Sequence, residues 1–322
     1  EGLPQYNLAY AVNQKDSTPL FYELYDGSVI DNTELEIMLE EAKEFGHEKL
    51  GVLMDRGYIS EKNIKALRTK GYEYILMMKQ NQRICQEIIE EYGAAVQSLE
   101  GYYIGEHGVY GTTVKKQLYG QETNIHVYYD DIRASEEKVA LMSRYETWEK
   151  EIEKKVEKKL ATEGEMKKYR KVFKLKYDQN GYLVAYQRNS RYIKEEIRNL
   201  GFFFIITSEE MSVSKALDIY RGRDNIKKMF RSLKSGIDFN KARVHTTESL
   251  KSKVFVTFIA MIVRNELFQK AEELRKKNRK AYTVPGMISE LENIECTRNS
   301  VGKYRRKYAL TAKQKLILKQ FD

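Results

Sequence analysis

The chain has 322 residues, 42% of them hydrophobic, including 24 Tyr and 12 Phe, which is enough apolar surface for a real core and too much for a disordered tail. Its 56 basic and 47 acidic residues leave a net charge of +9, a balance that favours a polyanionic partner. No apolar run reaches the roughly 18–20 residues of a membrane helix, the first residues lack the apolar core of a secretory signal, and Cys85 and Cys296 have no His or Cys at metal-ligand spacing. Together these exclude a disulfide framework and a zinc module and fit a reducing cytoplasm.

Periodicity predicts the elements in chain order. Tyr6–Asn13 and Leu20–Tyr25 form a strand hairpin across a polar turn. Asp31-Asn32-Thr33 caps a helix to about Phe45 with Leu35, Ile37, Met38, Leu39 and Ala42 on its apolar side. Lys49–Met54 is a short buried strand, Ser60 caps a helix carrying Ile64 and Leu67 with Glu61 at its positive end, and Tyr72–Met78 is a second buried strand. This opening reads as α/β. A helix at Arg83–Tyr92 follows, then strands at Tyr102–Ile104, Val114–Leu118 and Ile125–Tyr129, and a long charged helix from Ala134 to about Leu160, where Glu151 is placed to pair with Lys154 and Lys155. Asn180-Gly181 marks a hairpin between Val172–Tyr177 and Tyr182–Tyr186. Gly201–Thr207 is a fully buried strand. Helices are predicted from Ser214 through Lys234, from Thr246 or Thr247 to about Arg275, where Val254–Val263 reads as a buried stretch, and over Pro285–Glu295.

Two constellations carry chemistry. Asp55 follows the apolar Val52-Leu53-Met54, at the carboxyl end of a predicted strand, where α/β sheets collect ligands. It suits either a divalent metal or the cap of a turn, with Gly57 allowing a tight reversal. On the helix predicted after Ser214, Tyr220, Arg223, Lys227 and Lys234 fall within about 60° of one another, with Asp224 and Arg231 beside them. That stripe suits a phosphate backbone or is a solvated basic face. The four histidines show no paired spacing. Gly105, Gly108 and Gly111 read as turn glycines because no strand-to-helix turn surrounds them. Trp148 reads as a packing residue.

Gly2-Leu3-Pro4-Gln5, residues 8–31 (LAYAVNQKDSTPLFYELYDGSVID), 50–64 (LGVLMDRGYISEKNI) and 219–234 (IYRGRDNIKKMFRSLK) together resemble DDE transposases of bacterial insertion sequences, nearest the insertion-sequence-four type. The resemblance implies an α/β fold: a ribonuclease H-like mixed sheet flanked by helices, interrupted by a β-rich and long-helix insertion, with a helical C-terminal region. It divides the chain into 1–80 as the first part of the core, 81–200 as the insertion, 201–245 as the return strand and signature helix, and 246–322 as the helical region. It implies cleavage and strand transfer of double-stranded DNA, at transposon ends and target, by Mg²⁺ or Mn²⁺. It further implies a homodimer on DNA and a bacterial, nucleoid-associated cytoplasmic location without a membrane.

Residue by residue, Asp55 matches the second catalytic aspartate and metal ligand. Tyr220, Arg223 and Lys234 match the Tyr, Arg and Lys of the family's Y-R-E-K signature, and Arg231 lies beside them as a DNA contact. The glutamate of that signature falls on Lys227, and the strand bearing the first aspartate is expected just upstream of Glu1. Two-metal chemistry needs carboxylates that hold ions about 3.5–4 Å apart. A lysine removes a ligand and adds a cation, which at about 4 Å from a like unit charge repels it by roughly 4 kcal/mol at an effective dielectric of 20. Asp224, one turn before Lys227, and Glu209 or Glu210 are the candidate partial substitutes for the lost ligand. A catalytically inactive DNA-binding relic and an interaction scaffold built on the charged insertion are the alternative readings.

Overall fold

The computed structural model describes residues 6–13, 16–27, 31–46, 51–54, 59–98, 102–158, 164–223, 243–278 and 282–321. They fall into two compact units, Glu1–Gly46 with Arg221–Asp322, and His47–Tyr220. The first unit opens with the predicted hairpin. Strands β1 (Tyr6–Val12) and β2 (Pro19–Asp26) pair antiparallel, from Tyr6 opposite Asp26 to Ala11 opposite Phe21. At the turn, Asp16 Oδ1 accepts from the Thr18 amide at 2.9 Å, the side-chain-to-backbone bond that favours Asp in turns. Helix α1 (Asp31–Glu44) then buries Leu35, Leu39 and Ala42, one face at i, i+4 and i+7.

The second unit is a mixed α/β structure. Strands β3 (Gly51–Met54) and β4 (Glu73–Met77) run parallel, joined by helix α2 (Glu61–Thr69). The Ser60 hydroxyl caps α2 by accepting from the Asn63 amide at 3.2 Å, and Ile64 and Leu67 face the core. Helix α3 (Arg83–Ser98) runs past its predicted end at Tyr92. Gly93 does not break it, because the missing side chain is where the Phe202 ring lies: a Cβ there would sit 3.3 Å from Phe202 Cζ. Strands β5 (Tyr103–Ile104), β6 (Val109–Leu118) and β7 (Gln121–Tyr129) are followed by helix α4 (Asp131–Lys158), the hairpin β8 (Phe173–Tyr177) and β9 (Leu183–Arg188), helix α5 (Ser190–Asn199), strand β10 (Phe202–Thr207) and helix α6 (Val213–Arg221).

One six-stranded sheet holds this unit, in the order β3-β4-β10-β7-β6-β5. Strands β5–β7, predicted within the insertion, thus pair into the same sheet as β3, β4 and β10. The helices and strands α4, β8, β9 and α5 gather around a separate cluster that includes Tyr145, Ile152, Tyr169, Phe173 and Leu183. Trp148 packs against that cluster, edge-on to Tyr169 with ring centroids 5.7 Å apart. Glu151 pairs with Lys168 at 3.0 Å and with the Tyr169 hydroxyl, and Lys155, one of its two predicted local partners, adds an electrostatic contribution. At the β8–β9 turn Gly181 has φ +79°, as the Asn-Gly signal requires.

Strand β10 is buried along its whole length. It pairs antiparallel with β4 (Ile205 opposite Met77) and with β7 (Phe202 opposite Tyr129). Beside it His126 is fully buried. The Thr207 hydroxyl donates to the Glu209 carbonyl at 2.7 Å, so it accepts from His126 Nε2 at 3.0 Å, and His126 Nδ1 accepts from the Thr113 hydroxyl at 2.7 Å. This arrangement satisfies the neutral ring.

In the first unit, helix α7 (Thr247–Asn278) begins at Thr246, whose hydroxyl accepts from the Ser249 amide at 3.1 Å. Phe258 of α7 stacks on Tyr10 at 5.9 Å and lies 5.0 Å from the Tyr22 ring, and the Asn265 and Gln269 side chains donate to the Asp16 carbonyl at 3.0 and 2.8 Å. Within α7 the stretch predicted as buried is only half so: Val254, Thr257 and Met261 are buried, whereas Phe255, Val256, Ile259 and Val263 are exposed. Its residues are apolar on every side, so composition alone does not mark the covered face. Helix α8 (Val284–Glu292), the short hairpin β11 (Cys296–Arg298) and β12 (Tyr304–Arg306), and helix α9 (Ala312–Leu318) complete the chain. Among the described residues no helix is long and apolar enough to cross a membrane.

Burial pushes the His126 pKa down from 6.5 to about 4. The folded value lies below the unfolded one, so the unfolded chain takes up a proton first as pH falls from about 6.5 toward about 4, and stability is lost across that window. Between pH 7 and pH 5 this group should remove about 2 kcal/mol of folding free energy. Urea denaturation of the wild type and His126→Gln at both pH values tests it. The variant should show a shallower pH dependence, and equal slopes would contradict the assignment.

Candidate nucleic-acid and metal site

Strands β3 and β4 run parallel, with Met54 opposite Leu76, so their carboxyl ends share one sheet edge. Asp55 follows Met54 in sequence and lies outside the described residues. Lys227, Arg231 and Lys234, with Asp224, lie outside them as well. The described part of the predicted site is therefore the β3 strand, α6, Tyr220 and Arg223.

Helix α6 is docked tightly on the sheet. The Tyr128 hydroxyl donates to the Val213 carbonyl at 2.7 Å and fixes the first turn of the helix. Tyr128 itself stacks on Phe203 at 4.8 Å. Gly111, inside β6, makes the approach possible. A Cβ there would lie 2.9 Å from Tyr128 Cδ1, 3.0 Å from Val213 Cγ2 and 3.1 Å from Ile104 Cδ1. Gly111 is thus a close-packing glycine within a strand, and not the turn glycine read from sequence. Gly108, with φ +65°, does serve the β5–β6 turn. Leu217 and Tyr220 of α6 join Ile75, Val109, Tyr128, Phe203 and Ile205 in one cluster, with Leu53 packed against it. Leu53 is two residues before Asp55, so that cluster contains both the strand leading to Asp55 and the first residue of the helical signature.

The predicted stripe differs from the observed structure in two respects. The helix ends at Arg221, and Gly222 and Arg223 form a turn, so Tyr220 and Arg223 are not two steps along one continuous helix. Tyr220 is only 5% exposed and packs in the core, where its ring anchors α6 instead of facing solvent. Arg223 is half-buried.

Of the nearby carboxylates, Glu210 pairs with Lys115 at 3.1 Å. A group that sequence spacing did not reveal joins the β5–β6 turn to α6: His107 Nε2 lies 2.8 Å from Asp218 Oδ1. With Glu106 these are the described His, Cys, Asp and Glu side chains close enough to hold an ion, their ligand atoms all within 4.8 Å of one another. The sequence carries no signal for this, since His107 and Asp218 come together only through the docking of α6. An imidazole and two carboxylates suit borderline metals such as Zn²⁺ better than Mg²⁺, and here the pair serves to tie helix to turn.

Two-metal chemistry on a phosphodiester requires a set of carboxylates. The positions that the sequence resemblance sets against such ligands are Asp55 and, for the glutamate, Lys227, both outside the described residues. A protonated ammonium has three donors and no lone pair for a metal, so a lysine at the glutamate position would supply no ligand.

Replacing Gly111 with Ala should force α6 off the sheet and destabilise the fold by about 1–3 kcal/mol. Gly105→Ala, where the nearest atom to a new Cβ is 3.9 Å away, should be close to neutral. Chemical denaturation of both variants is the test, and equal stabilities would contradict the close-docking account.

No curated protein sequence matches the chain. The family model described as transposase DDE domain matches residues 1–263, a span that takes in β1, the whole six-stranded sheet, α6 and the first half of α7. The chain belongs to the transposase DDE domain family, whose members cleave and transfer DNA and generally depend on divalent metal.

Proposed function

We propose that this chain is the DNA-engaging core of a transposase of the insertion-sequence-four type, with its two-metal strand chemistry impaired at Lys227. The observation that carries the reading is the shared cluster of Leu53 and Tyr220. Through it the strand that leads to Asp55 and the first residue of the signature, Tyr220, belong to one core. Arg223, Arg231 and Lys234 are the proposed phosphate contacts, and Tyr220 anchors the end of α6 in the core just before them in sequence. Lys227 stands where the family has a metal-binding glutamate. Its charge suits a further phosphate contact and opposes Mg²⁺ or Mn²⁺ beside Asp55. Because of Lys227, the reading leans toward a DNA-binding protein of transposase descent. The substrate is double-stranded DNA at transposon ends and target, engaged by a homodimer in the bacterial cytoplasm.

Binding and cleavage separate the parts of this reading. Arg223→Ala and Lys234→Ala should each weaken binding to duplexes of any sequence and reduce the slope of log affinity against log salt by about one. In Mg²⁺ the bound duplex should remain uncut. Unchanged salt slopes would remove the proposed phosphate contacts, and Mg²⁺-dependent strand cleavage by the purified chain would overturn the impairment.

A further inference from the structure

We infer that the β11–β12 hairpin is a second DNA-binding element, a basic ribbon that lies in the major groove of duplex DNA. This rests on the reading of the chain as a transposase and adds a site outside the matched span, which ends at residue 263.

The hairpin has no packing reason to exist. Its strands pair Cys296 with Arg306, Thr297 with Arg305 and Arg298 with Tyr304, and all six residues are exposed, on both faces. A two-stranded hairpin with neither face covered is marginal in water, so its sequence is better explained by a partner than by the core. From Glu295 to Tyr308 it carries Arg298, Lys303, Arg305, Arg306 and Lys307 against one carboxylate, Glu295. Lys307 pairs with that carboxylate at 2.9 Å, and the other four cations remain to set the sign of the surface. Tyr304 and Tyr308 are 70% and 65% exposed. The Arg298 guanidinium lies 5.9 Å from the centre of the Tyr304 ring, on the same face as Arg306, while Arg305 projects from the opposite face.

The ribbon is also hydrogen-bonded at its tip and base. Asn299 Oδ1 accepts from the Val301 and Lys303 amides at 3.1 and 2.8 Å, and Gly302 turns the tip at φ +81°. At the base, the Lys307 amide donates to the Glu295 carbonyl at 2.9 Å. The flanking helices are clamped to each other: the Gln314 side chain donates to the Glu290 carbonyl at 3.0 Å, and Ile317 of α9, Met287 of α8 and Leu274 of α7 share one core. A hydrogen-bonded ribbon with cations on both faces matches B-form DNA, whose major groove, about 12 Å wide, admits a two-stranded β-ribbon between two rows of phosphates. Single-sided binding to a flat acidic surface would leave Arg305 or Arg306 facing away.

The test is fluorescence anisotropy of the whole 322-residue chain with a labelled duplex over a range of salt, comparing Arg305→Ala/Arg306→Ala with Lys138→Ala/Lys150→Ala, a pair of equal charge loss on the exposed surface of α4. Thermal unfolding of each variant checks that the fold is retained. The ribbon variant should bind at least tenfold more weakly and show a salt slope shallower by about two, with the α4 variant close to wild type. If the wild type binds duplex and the ribbon variant keeps its slope, or if both pairs lose affinity equally, the ribbon assignment is overturned and the transposase reading stands. If the wild type binds no duplex at all, both fall.

Discussion

Strand β10 is the constraint on which the larger unit depends. Its six side chains, Phe202 to Thr207, are all buried, each of the large apolar ones contributing roughly 1.5–3 kcal/mol. Its backbone is satisfied on both edges, by β4 on one side and β7 on the other, as a buried strand requires. It is the seam between two kinds of sheet: the parallel β3–β4 pair, built by a strand-helix-strand crossover, and the antiparallel β7–β6–β5 meander. The position of α6 follows from it. The chain leaves β10 at Thr207, turns through Glu209, and enters α6 at Val213, held by Tyr128 of the neighbouring strand. Where the helical signature begins is therefore set by the pairing of a strand whose own sequence is purely apolar up to Thr207.

That strand was legible, because a continuous apolar run bounded by Gly201 and Thr207 fits a strand buried on both faces. The hairpin at Asn180-Gly181, the Ser60 cap and the Thr246 start were legible too, since each depends on residues within a few positions of one another. What depended on pairing between distant segments was not. Strands β5–β7 were predicted as strands, but their place in the main sheet is decided by β7 meeting β10, which alternation does not encode. Gly93 and Gly111 carry no local signal for the Phe202 ring and the α6 terminus that require them. The helix expected through Lys234 is described only as far as α6, which ends at Arg221, and from residue 224 it lies outside the described residues; Tyr220, expected on a surface stripe, stands in the core. Strands β11 and β12 escaped notice because three-residue strands of exposed polar and charged residues show no apolar periodicity.

The two halves of the functional account draw on different physics. DNA engagement is a matter of cation placement, and the structure offers cations away from the signature, on an exposed ribbon that joins α8 to α9. Strand chemistry is a matter of carboxylate placement, where one substitution outweighs overall charge. The net charge of +9 favours the first and says nothing of the second. On the proposed reading, which sets Lys227 at the signature glutamate, the chain keeps the grip of a transposase and loses part of its metal site.

The most direct test of that central claim is titration of Mn²⁺ by electron paramagnetic resonance, comparing the wild type with Lys227→Glu and with Lys227→Glu/Asp55→Ala. If Lys227 occupies the metal-binding glutamate position beside Asp55, Lys227→Glu should bind Mn²⁺ clearly more tightly than the wild type, and the added Asp55→Ala should abolish the gain. Equal Mn²⁺ affinity in the wild type and Lys227→Glu, or a gain that survives loss of Asp55, would contradict the account.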